Sequence, residues 1–151
     1  MQQMEQRSLG RAGVGVPVVG LGTWQRLEAA ARAGRHHELV NRAVDDGVRV
    51  FDSSPMYGRA ERLLADALFD CRAEAFVATK VWAHSRSEGR AQLQQAADWF
   101  GGHVDLMQIH NLAGWQDHLP MLEAAREDGR VRLIGATHYS ASAFRELARV
   151  M

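Results

Sequence analysis

Four short apolar runs, residues 48–51, 76–79, 104–109 and 131–136, begin about 28 residues apart, and a period of that size is the strongest constraint on the fold. Each run is almost continuously apolar instead of alternating, which marks strands buried on both faces. A fifth run, residues 16–23, precedes them by a similar interval. Helical spacing fills the gaps. Leu39, Val40, Ala43 and Val44 make one stripe, and Ala60, Leu63, Leu64, Ala67 and Leu68 a second. Leu93, Ala96, Ala97 and Phe100 make a third, and Leu119, Leu122 and Ala125 a fourth. Ser87 is expected to open the third helix. Gly47, Gly101-Gly102 and Gly129 are expected to stop helices through left-handed caps. Ser140 and Ser142 offer an N-cap for a last helix with Ala143, Phe144, Leu147, Ala148 and Met151 on one face. Strand and helix alternating at one period mean βα units with parallel strands, in a doubly wound sheet or a closed barrel. The opening Leu9-Gly-Arg-Ala-Gly-Val-Gly-Val-Pro17 suits a hairpin better than a helix.

With 151 residues the chain has the length of a single domain, 1–151. The formal net charge is zero, so nothing points to nucleic acid or to a membrane surface. The one cysteine, Cys71, fits a reducing compartment, with an expected role as a space-filler on an apolar helix face. No apolar stretch follows the N-terminus and no run reaches the length of a membrane span, so a cytoplasmic location is expected.

Seventeen of the eighteen basic residues are arginine. The single lysine, Lys80, closes one of the apolar runs. Arginine keeps its proton at ordinary pH, whereas a buried ammonium is compact and tunable, so proton chemistry could have selected Lys80. Other polar residues also gather where a strand meets its following loop. They are Asp52 and Tyr57 after the second strand, Lys80 and Trp82 after the third, His110 and Asn111 after the fourth, and Thr137 and His138 after the fifth. In parallel α/β folds those strand ends share one functional face. Taken singly, each has a plain structural explanation: a buried Asp–Lys pair, a hydrogen-bonded histidine, a loop tyrosine. Taken together they suit protonation of a carbonyl oxygen. A nearby cation lowers the pKa of a tyrosine, Asp52 can hold Lys80 charged, and His110 can donate to an oxygen gaining negative charge.

Several segments in order resemble the aldo-keto reductases, which are NADPH-dependent (β/α)₈ barrels of the TIM type. They are Val18-Val-Gly-Leu-Gly-Thr-Trp24, Phe51-Asp-Ser-Ser-Pro-Met-Tyr-Gly58 with Glu61, Thr79-Lys-Val-Trp82, Asp105-Leu-Met-Gln-Ile-His110 and Ile134-Gly-Ala-Thr-His-Tyr139. The resemblance implies an oxidoreductase that reduces an aldehyde or ketone to an alcohol. Tyr57 would be the general acid, Lys80 and Asp52 would tune it, and His110 would orient the carbonyl. Gly22, Thr23, Asp52, Thr137 and His138 would meet the cofactor, NADPH. Trp24, Trp82 and Asn111 would line the site for a small carbonyl substrate. His138 departs from the family pattern, which has asparagine there.

The resemblance also implies an incomplete barrel, with about five of eight βα units and an N-terminal hairpin. Three outcomes are compatible with that. The chain is a piece of a longer reductase, it self-associates or pairs with a partner chain through its open strand edges, or it is a small open module without catalysis. A cofactor-free lyase or isomerase using the same four residues is the other enzymatic reading. No metal is expected, because His36 and His37 are adjacent and so poorly spaced for shared ligation on one helix face.

Overall fold

The structure is a computed structural model and describes residues 4–10 and 13–151. The glycine-rich opening forms the expected hairpin, β1 (Gln6–Leu9) antiparallel to β2 (Val14–Pro17). A second, five-stranded sheet has the order β3-β4-β5-β6-β7. Its strands are β3 (Gly20–Gly22), β4 (Val50–Asp52), β5 (Phe76–Val81), β6 (Val104–His110) and β7 (Val131–Thr137). The β3–β4, β5–β6 and β6–β7 pairs are parallel. The helices are α1 (Arg26–Arg32), α2 (His36–Asp45), α3 (Ala60–Ala67), α4 (Arg86–Trp99), α5 (Trp115–Glu127) and α6 (Phe144–Val150). The βα alternation is that of a TIM-type barrel with five of its units present. Among the described residues, no helix is long and apolar enough to cross a membrane.

The chain packs as two compact units. One runs to Ser53 and resumes over Tyr57–Val77; the other holds Ser54–Met56 and Ala78–Met151. In the first, α1, α2 and α3 pack on one another, and Leu27, Val40, Phe51, Leu64 and Leu68 are buried. In the second, α4 packs on α5, and α5 on β6 and β7, with Leu93, Phe100, Met107, Ile109 and Leu122 buried. Removing one such leucine side chain costs about 2–5 kcal/mol, because a close-packed interior closes over a cavity only in part.

The four evenly spaced apolar runs became strands, each ending one or two residues past its expected end. Residues 16–23 do not form one strand. Pro17 ends β2 because it has no N–H to continue a ladder, the amide of Val18 bonds Glu5 O at 3.0 Å, and Val18 and Val19 are exposed. Ser85, not Ser87, caps α4, its Oγ accepting from the Glu88 amide at 3.2 Å. The glycine stops hold for α2, α4 and α5, where Gly47, Gly101, Gly102 and Gly129 all take positive φ. Helix α3 has no such stop and passes into a 3₁₀ stretch, Phe69–Glu74. Cys71 lies on that stretch, half-buried, and not on an α-helical face. Before α6 a 3₁₀ turn, Ala141–Ala143, intervenes and Ser140 makes no side-chain cap bond; its Oγ lies 2.7 Å from that of Ser142 instead.

Candidate active site

In the first unit the site begins at the ends of β3 and β4, where Gly22 stands opposite Asp52 in register. The next residues extend that contact. Thr23 N–H donates to Asp52 O at 3.0 Å, and Thr23 Oγ donates to Ser53 Oγ at 2.9 Å, both side chains being buried. Trp24 is 62% exposed, and its ring centroid lies 6.2 Å from that of Tyr57. Gly58 shapes the turn after Tyr57. It takes φ 62°, and a Cβ there would lie 2.6 Å from Glu28 Oε1, the oxygen that accepts from Arg59 N–H at 2.6 Å. Glu28 on α1 therefore fixes the backbone just after the tyrosine.

The Tyr57 phenol sits above its ordinary value of 10.0, first because burial disfavours the phenolate and second because the Asp52 carboxylate is nearby. That direction is opposite to the lowering expected from the sequence. Burial and a nearby carboxylate hold the phenol protonated, which fills the donor state and weakens it as an acid.

In the second unit Lys80 is 5% exposed, on β5 opposite Gln108 of β6. His110 ends β6 opposite Thr137. Its Nδ1 lies 2.9 Å from Ser54 Oγ, both groups being buried, and Ser54 Oγ also accepts from Met56 N–H at 3.2 Å. Trp82, 39% exposed, is gripped at its backbone: its N–H donates to Gln92 Oε1 and its carbonyl accepts from Gln92 Nε2, each at 2.8 Å. The next carbonyl, Ala83 O, lies 2.9 Å from Nε2 of the fully buried His118. Asn111 and Leu112 take φ 54° and 56° inside a turn closed by Ala113 N–H to His110 O at 3.1 Å. A left-handed leucine is strained, and such strain gathers at functional loops. His138 Nδ1 accepts from Ser140 N–H at 2.9 Å, which places the ring proton on Nε2. Thr137 Oγ is buried with no hydrogen-bond partner.

The predicted residues thus divide between the units: Gly22, Thr23, Trp24, Asp52 and Tyr57 in one, and Lys80, Trp82, His110, Asn111, Thr137 and His138 in the other. Sequence reasoning missed Glu28, Ser53, Ser54, Gln92 and His118. Ser53 and Ser54 had a signal, since they interrupt an otherwise apolar strand end beside Asp52. The other three lie on helices and had none. Away from the strand ends, the adjacent His36 and His37 do converge, on a carboxylate from another helix, Asp66.

The fold and its polar strand ends define a protein of the (β/α)-barrel class. The chain belongs to the aldo/keto reductase family, whose family model matches residues 15–150. Pyridoxal 4-dehydrogenase of Microbacterium luteolum is 40% identical over 85 residues, covering 54% of this chain and 25% of that protein. An aldo-keto reductase of Mycobacterium sp. (strain KMS) is 31% identical over 148 residues, covering 89% of this chain and 50% of that protein. Glycerol 2-dehydrogenase (NADP(+)) of Saccharomyces cerevisiae is 35% identical over 102 residues, with 65% and 31% covered. The chain therefore spans a quarter to half the length of these curated relatives. Among solved structures, an aldo-keto reductase from Klebsiella pneumoniae in complex with NADPH is similar at a TM-score of 0.79 and 21% identity, covering 97% of this chain and 54% of that one. A thermostable aldo-keto reductase bound to the inhibitor epalrestat gives 0.79 at 25% identity, with 97% and 58% covered. Coverage of about half a barrel agrees with five βα units.

Proposed function

We propose that this chain supplies the proton-handling and carbonyl-orienting part of an NADPH-dependent reductase that converts an aldehyde or ketone to an alcohol. The observation that carries the reading is the position of Asp52, Tyr57, Lys80 and His110. Each lies at the C-terminal end of a strand or in the loop that follows, in a family whose curated relatives include a glycerol 2-dehydrogenase (NADP(+)) by name. In parallel βα folds such ends are where catalytic residues gather.

In this reading Tyr57 gives its proton to the carbonyl oxygen. Burial and Asp52 hold that proton too tightly for efficient donation near neutral pH. Lys80 would ease that transfer in part, because an ammonium favours the phenolate left behind. Ser54 already accepts from the Met56 amide, so its own proton is free to go to His110 Nδ1. His110 is then protonated on Nε2 and donates to the same carbonyl oxygen, which aims the carbonyl at Tyr57. Trp24 and Trp82 are exposed aromatic residues that would meet a small carbonyl compound, and Asn111, on a strained turn, would do the same.

The residues present fit the nicotinamide end of the cofactor. Thr137 has a buried hydroxyl without a partner, and His138 has its remaining proton on Nε2, so the pair can accept from and donate to a carboxamide. Gly22 would leave backbone open to a ring, since a Cβ there would meet nothing within 4 Å. Gly22, Thr23, Asp52, Thr137 and His138 would hold this group, and when bound it supplies the hydride for carbonyl reduction. The single free cysteine accords with action in the cytoplasm.

Titrating the chain with NADPH while following tryptophan emission tests the reading, because Trp24 and Trp82 are exposed and are proposed to line the site. Saturable binding is expected, with carbonyl turnover lost in Tyr57→Phe and in Lys80→Met. Near-normal turnover in either variant would remove the assignment.

A further inference from the structure

His36 and His37 open α2, and Asp66 lies in the last turn of α3. Nε2 of His36 is 3.3 Å and Nε2 of His37 is 3.0 Å from the same oxygen, Asp66 Oδ2. The two rings are 4.3 Å apart between centroids, tilted by 53°. All three potential ligand atoms lie within 4.8 Å of one another, the one such group of three among the described residues.

Three features of this cluster suit metal binding. The nitrogen–oxygen separations are those of hydrogen bonds and lie also near a tetrahedral edge, since ligands about 2.0–2.1 Å from a tetrahedral ion stand roughly 3.3 Å apart. The choice of partners is unusual for this chain. It has seventeen arginines, yet Asp66 is met by two imidazoles and by no guanidinium among the described residues. The site is also accessible: the His37 and Asp66 side chains are 52% and 60% exposed. The adjoining groove of about 380 Å³ brings Asp45, Asp70 and Cys71 alongside, so the surroundings are electronegative.

We propose that His36, His37 and Asp66 bind one divalent transition-metal ion of the zinc class, with water completing its shell. Two imidazoles and a carboxylate suit a borderline-soft cation better than magnesium or calcium, which prefer all-oxygen shells. Adjacency of the two histidines is no obstacle, because both Nε2 atoms reach the same Asp66 oxygen. A bound ion fastens the first turn of α2 to α3, the helix that begins three residues after Tyr57. The site is independent of the reductase reading.

Calorimetric titration of the chelator-treated chain with Zn²⁺, and with Mg²⁺ as the hard-ion control, tests the proposal. The expected result is one Zn²⁺ per chain, no competition from Mg²⁺, and binding at least about tenfold weaker in His37→Gln and in Asp66→Asn. Cys71→Ser should bind as the unsubstituted chain does, and the Co²⁺ form should show no thiolate charge-transfer band. Free Zn²⁺ at about 100 times its Kd should raise the folded-to-unfolded ratio about 100-fold, and by much less in Asp66→Asn. Circular dichroism checks that each variant is folded. Undiminished stoichiometric binding in the folded His37→Gln and Asp66→Asn variants, or none in the unsubstituted chain, overturns the proposal.

Discussion

Ser54 Oγ and His110 Nδ1 meet at 2.9 Å across 56 residues of sequence, both buried. The serine also takes the Met56 amide at 3.2 Å, so the loop after β4 and the end of β6 share one polar junction. Ser54→Ala leaves a buried imidazole nitrogen without its partner, which costs about 1–3 kcal/mol. Thermal unfolding should show that loss. Under the proposed mechanism, carbonyl turnover should fall further than stability explains, because the His110 tautomer is no longer fixed. Unchanged turnover at a temperature where the variant is fully folded would break the link between Ser54 and catalysis.

Gln92 supports Trp82 through two hydrogen bonds of 2.8 Å to its backbone. Gln92→Ala removes both partners from a surface-accessible segment, so water replaces them and the stability cost stays near 1 kcal/mol. The local effect is larger. Hydrogen exchange at the Trp82 amide should accelerate at least about tenfold, since 1.4 kcal/mol of local opening corresponds to that factor. Exchange at Val81, inside β5, should change little. Equal acceleration at both amides would show general loosening instead.

Tyr57 offers a titration test. Its folded-state pKa is raised by burial and by Asp52, so the native state holds the phenolic proton more tightly than the unfolded chain. The stability contribution is fully present below the unfolded value near 10 and is lost as pH rises through the higher folded value. Subtracting the phenolate absorbance of Tyr57→Phe from that of the unsubstituted chain should give a midpoint above 10.0. The variant should also lose less stability in that alkaline range. A midpoint at or below 10 would show that another charge outweighs burial and Asp52.

Gly89 lies inside α4, where alanine would normally gain about 1 kcal/mol of helix propensity. Here a Cβ would stand 2.5 Å from Cε1 of His118. That ring is fully buried and tied to Ala83 O at 2.9 Å, so it has little room to move. Overpacking typically costs about 1–3 kcal/mol, which exceeds the propensity gain. Gly89→Ala should therefore lower Tm, and stabilisation would show that His118 can move aside.

The sequence by itself determined the strand ladder, the hairpin, the glycine stops and the family. These follow from one-dimensional signals: a buried parallel strand must be continuously apolar, and a left-handed cap favours glycine. It also named the polar strand ends, because chain order alone puts a residue after its strand. Helix α1 carried no such signal, since Leu27 is its one buried residue and leaves no stripe to read. The choice of Ser85 over Ser87 as cap turned on where the backbone leaves its extended conformation. Only the tertiary structure decided which side chains come to one another. It brought Gln92 to Trp82, His118 to Ala83, Glu28 to the turn after Tyr57, and Asp66 to a histidine pair that looked badly spaced. It also reversed the expected direction of the Tyr57 pKa. Pairings across tens of residues and the desolvation of one phenol depend on packing in three dimensions, which a linear pattern does not encode.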